Sequence, residues 1–132
     1  MPLVFKNRIP RHSKALRKMA KFLDTKYPIK PRIEVYVYDV PILSDDVIDS
    51  YEVTDECPEY EDLYGLYIPE FGHILLAVNS IDASLAQAIL AHEYKHARQH
   101  LADETFKECY ADSFALHSLL LVQTNKNYET NK

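Results

Sequence analysis

The chain has 132 residues, 47% of them apolar and 27% charged, with a formal net charge of −5. That length supports one hydrophobic core and no second domain, and the composition is that of a soluble globular protein. No apolar run approaches the ~20 residues that span a bilayer. The opening Met1-Pro2-Leu3-Val4-Phe5-Lys6 turns polar too soon for a secretory signal, so the cytoplasm is the default expectation.

Charge is unevenly spread. Residues 1–32 carry ten Lys or Arg and one acid, and read as a basic N-terminal arm and helix over 1–31. Ala15, Leu16, Met19, Phe22 and Leu23 recur at helical spacing, which predicts a helix over 13–27 that Ser13 can cap. Pro28 and Pro31 end it, and 32–38 alternates as a strand does. Residues 39–63 are rich in Asp, Glu, Pro and Ser and read as a long acidic loop, with at most a helical turn at 44–50. Segments 64–68 and 73–78 then flank Pro69-Glu70-Phe71-Gly72, the pattern of a strand pair joined by a turn. A helix beginning at Ser80 or Asp82 runs without a breaker through Leu101, and Asp103 is placed to cap a last helix over about 104–123. The tail 125–132 is polar. Cys57 and Cys109 lack metal or redox spacing and read as reduced thiols. The fold class expected is α+β: an N-terminal helix, a small three-stranded mixed sheet and two C-terminal helices in one domain, 1–132.

The chemistry concentrates on His92-Glu93-Tyr94-Lys95-His96. Residues i and i+4 of a helix share one face, so His92 and His96 can hold one Zn²⁺ while Glu93 reaches a water on it. A catalytic zinc site needs a third protein ligand. Candidates downstream are His100, Asp103, Glu104, Glu108 and Asp112. His100 lies one further turn along the same helix, ~6 Å along the axis, too far to share a ~2 Å coordination sphere with His92. Glu108 qualifies, because a turn near Ala102-Asp103 lets the last helix fold back antiparallel. Asp112, one turn beyond Glu108, is placed to accept the second N–H of a liganding histidine and fix its tautomer. The metzincin pattern fails, since Gln99 stands where its glycine belongs and Ala102 where its third histidine belongs.

H-E-x-x-H followed by a helix bearing E-x-x-x-D resembles the gluzincins, the thermolysin-like clan of zinc metallopeptidases. The short chain is most similar to the minigluzincins. Ala111-Asp112-Ser113-Phe114-Ala115 also echoes the ImmA/IrrE-type peptidases. The likeness covers roughly residues 64–120. It implies a zincin-like fold, one zinc held by His92, His96 and Glu108, Glu93 as general base and Asp112 behind a ligand. It further implies that the strand bearing His73, Ile74, Leu75, Leu76 and Ala77 offers its edge to an extended peptide. Tyr64, Tyr67, Tyr110 and His117 are the candidate donors to the transition state. The segment from His96 to Glu108 is shorter than in thermolysin itself, so the second helix must begin almost at once.

The expected activity is thus zinc-dependent endopeptidase hydrolysis of peptide bonds. The alternative is a zinc-binding regulatory or interaction protein with a latent or degenerate site. A zymogen-like or self-associated form, with the polar tail or the basic arm in the cleft, belongs to the same set of expectations. Residues 33–94 hold fourteen acids and no Lys or Arg, which favours a peptide or protein substrate with basic residues. A membrane partner is not expected, and the negative overall charge makes nucleic acid a minor option.

Overall fold

The computed structural model describes residues 3–9, 11–38, 64–78, 80–104 and 108–124, with Glu108 through its backbone only. The acidic segment 39–63, the tail 125–132 and Cys57 lie outside the described residues. Seven elements follow in order: β1 (Leu3–Phe5), α1 (Ser13–Lys26), β2 (Ile33–Tyr38), β3 (Gly65–Ile68), β4 (His73–Ala77), α2 (Ala83–Leu101) and α3 (Glu108–Thr124). The architecture is α+β, three helices with a four-stranded mixed sheet ordered β1-β2-β4-β3.

The strands obey their side-chain period. Ile33, Val35 and Val37 of β2 point to the helices, while Glu34, Tyr36 and Tyr38 point to the other face. β1 and β4 flank β2 in parallel, and β3 returns antiparallel to β4. The β3–β4 turn closes where expected: Gly72 takes φ 65°, and its N–H reaches the Ile68 carbonyl at 2.9 Å. A positive φ is open to glycine without steric cost. Helix α1 buries Leu16, Met19, Ala20, Phe22 and Leu23, and its Lys and Arg side faces out. These side chains meet the inward faces of β2 and β4 and the Leu90, Ala91, Tyr94 and Ala97 stripe of α2 in one core. Ile68, Leu75 and Ala77 pack as a smaller cluster on the opposite face of the sheet.

Several expectations need correction. The sheet has four strands rather than three, because Leu3-Val4-Phe5 pairs with Ile33-Glu34-Val35 and the Leu3 N–H meets Asp24 Oδ1 at 3.3 Å. The basic N-terminal stretch is therefore no free arm; β1 sits at the opposite end of the sheet from β3. Ser13 does not cap α1. His12 holds the N-cap place in a left-handed conformation without a side-chain cap, and its ring meets the Ile81 carbonyl at 2.8 Å. Ser13 Oγ instead accepts from Arg17 Nε. Among the described residues helix α3 runs from Glu108, and Asp103 before it takes φ 58°; the start expected near 104 falls against residues 105–107, which lie outside the described residues. Cys109, on that helix, is free and exposed rather than packed. Among the described residues, no helix is long and apolar enough to cross a membrane.

Candidate active site

Helix α2 starts on a firm cap: Asp82 Oδ1 accepts from the Leu85 N–H at 2.8 Å. Nineteen helical residues then run unbroken, which puts His92 and His96 one above the other. Their Nε2 atoms converge to 3.2 Å, with the rings nearly perpendicular at 77°. Each ring is engaged on its other nitrogen. His92 Nδ1 lies 2.9 Å from Asp112 Oδ1, and His96 Nδ1 lies 2.9 Å from Gln99 Oε1. Both partners are acceptors, so neutral rings donate through Nδ1–H and keep the Nε2 lone pair. Two lone pairs then point into one place. Two neutral acceptors cannot bond each other there; a cation between them can.

Glu93 lies beside this pair, its Oε2 3.9 Å from His92 Nε2, and the residue is only 7% exposed. Its position depends on β3. Gly65 comes so close to α2 that a Cβ there would overlap Ile89 Cγ2 and stand 3.1 Å from Glu93 Cγ. We expect Gly65→Ala to push the strand from the helix or to tilt Glu93. Overpacking of this kind costs about 1–3 kcal/mol. A lower melting temperature together with impaired turnover is the expected result, and an unperturbed Gly65→Ala protein would remove Gly65 from the site.

A groove of about 460 Å³ opens in front of these residues, between β3, α2 and α3. Tyr64, Gly65, His92, Glu93 and Asp112 line its polar end, and Leu85, Ile89, Leu116 and Leu119 its apolar wall. Leu85 and Leu116 are exposed there, an arrangement that suits an apolar guest.

The chain matches no protein-family model, no curated protein and no solved structure. What the site does must be inferred from its own atoms.

Of the residues expected to act, the structure brings together His92, Glu93, His96 and Asp112. Glu108 opens α3 one turn before Asp112, and its side chain lies outside the described residues. Among the described residues no group of three metal-binding side chains forms. Of the four candidate donors, Tyr64 alone lines the groove. Tyr67 OH is 2.9 Å from His100 Nδ1, and burial first, then the Glu70 charge, pushes its phenol up, so the hydroxyl keeps its proton beside that ring. Tyr110 and His117 are exposed on α3 and do not line the groove.

The strand expected to offer its edge is corrected. His73–Ala77 is bonded to β2 on one side and β3 on the other, so β4 has no free edge. Among the described residues the edge nearest α2 is that of β3. Two residues of the site went unread in the sequence, Gly65 and Gln99. For Gly65 the signal was a glycine within a strand pattern, one of only two in the chain.

The donor set fits zinc. Two imidazole ligands at about 2.0–2.1 Å in tetrahedral geometry stand about 3.3–3.4 Å apart. The observed 3.2 Å between Nε2 atoms is close to that, and each ring has an acceptor beside its Nδ1, which suits the tautomer a metal requires.

Proposed function

We propose that the chain is a minimal zinc-dependent peptidase in which His92, His96 and Glu108 hold one zinc ion and Glu93 is the general base. The observation that carries this reading is the convergence of two Nε2 lone pairs beside a nearly buried carboxylate, at the end of an open groove. Glu108 is the third ligand in this proposal because it stands on the same face of α3 as Asp112, which touches His92. The order of these motifs, and their resemblance to the gluzincins, agree with it.

Zinc bound there supplies a water of pKa about 7 and a Lewis acid for the scissile carbonyl. Glu93 takes the proton from the attacking water and passes it to the leaving nitrogen. Its low exposure keeps competing solvent from the carboxylate. Asp112 and Gln99 hold the imidazoles in place. An extended peptide adds to the outer edge of β3, where main-chain hydrogen bonds align it beside Glu93. Tyr64, which lines the groove, is the donor this reading assigns to the developing oxyanion.

The groove also bears on the substrate. Its described wall is leucine and isoleucine, which favours an apolar side chain next to the cleaved bond. The basic preference expected from sequence rests mostly on ten acids within 39–63, outside the described residues.

The test is metal analysis of the purified full chain, followed by digestion of a fluorogenic peptide library. We expect about one zinc per chain, and hydrolysis that a chelator abolishes and added zinc restores. Stoichiometric zinc without hydrolysis under any condition selects the non-enzymatic zinc-binding reading. A chain that takes up no zinc overturns both.

A further inference from the structure

Gln99 raises a question of cost. Its side chain is 1% exposed, and while Oε1 meets His96 Nδ1, its Nε2 finds no acceptor among the described residues. A buried donor left unmade costs about 1–3 kcal/mol, whereas an apolar side chain of the same shape would cost nothing of the kind. Packing alone therefore favours methionine or leucine at this position. What a glutamine offers in exchange is one acceptor, aimed at one ring nitrogen.

That acceptor differs from the one behind His92. Asp112 is on another helix, and its side chain is 72% exposed, so water competes with its contact. Gln99 is dry and sits three residues from His96 on α2 itself. Both ends of the contact lie on one helix.

We propose that Gln99 is the positioning residue of His96: its amide oxygen holds Nδ1–H, fixes the ring's tautomer and orientation, and leaves the Nε2 lone pair turned toward His92 before any ion arrives. The working motif is thus H-E-x-x-H-x-x-Q, with one support built into the helix and the other delivered by α3. The proposal extends the zinc reading, yet half of its test does not depend on it.

That half is NMR of the metal-free, ¹⁵N-histidine-labelled protein at a pH where its imidazoles are neutral. Long-range ¹H–¹⁵N correlations are expected to show His96 in the Nδ1–H form in wild type. In Gln99→Met the ring should pass largely to the Nε2–H form that free imidazole side chains prefer. The other half is zinc affinity by competition with a chromophoric chelator. Gln99→Met should bind about 10- to 100-fold more weakly, the usual cost of removing such a partner. Gln99→Glu, which can only accept, should bind at least as well as wild type. An unchanged His96 tautomer in Gln99→Met overturns the proposal. Loss of affinity in Gln99→Glu overturns it too, because the side chain would then be donating. Should wild type bind no zinc, the peptidase reading fails while the tautomer result still decides the role of Gln99.

Discussion

Glu93→Gln is expected to fold normally, bind zinc as wild type does, and hydrolyse peptides about 100- to 10,000-fold more slowly, the usual contribution of a general base. The substitution is nearly isosteric, so the close approach of Gly65 to the residue 93 side chain is preserved. An amide cannot take a proton from water at neutral pH, and here that is the only function removed. The metal should stay, because in the proposed site the protein ligands are His92, His96 and Glu108. Steady-state kinetics on one fluorogenic peptide, with metal content measured on the same sample, checks both halves. Turnover at the wild-type rate would end the assignment of Glu93 as base. Loss of zinc from Glu93→Gln would instead place Glu93 among the ligands.

Local patterns in the sequence were readable wherever local forces decide the structure. The helix bearing His92 and His96 could be read because Asp82 caps it and no breaker follows before Leu101. The β3–β4 turn could be read because Gly72 stands where φ must be positive. Contacts between distant segments were not readable. Strand β1 has three residues, too few for a periodic signal, and exists because β2 and Asp24 receive it. The insertion of β4 between β2 and β3 is a property of the whole sheet, and so the free edge was assigned to the wrong strand. Gln99 illustrates a third kind of limit. Its residue type served only to exclude one motif, since nothing in the sequence says that the side chain is buried with half its amide unpaired among the described residues. Gly65 is similar: a glycine in a strand signals close approach, but what approaches it, Ile89 and Glu93, is known only from the fold.

His92→Ala should abolish tight zinc binding, and a comparison with Asp112→Ala shows why the two losses must differ in size. Removing His92 deletes one of the two converging imidazole ligands. Removing Asp112 leaves both ligands and takes away only an exposed contact that orients one ring, which costs about 10- to 100-fold in affinity. The order expected is wild type, then Asp112→Ala, then His92→Ala with no measurable binding at micromolar zinc. Thermal melting gives an independent measure. A ligand that binds only the folded state stabilises it by about 2.7 kcal/mol at a hundred times its dissociation constant. Wild type should therefore melt higher as zinc is added, Asp112→Ala should need more zinc for the same shift, and His92→Ala should not respond. Equal shifts in all three proteins would mean that zinc binds elsewhere on the chain. A response in His92→Ala that disappears in His96→Ala would mean that only His96 is a ligand, and the convergence of the two rings would then belong to packing rather than to a metal centre.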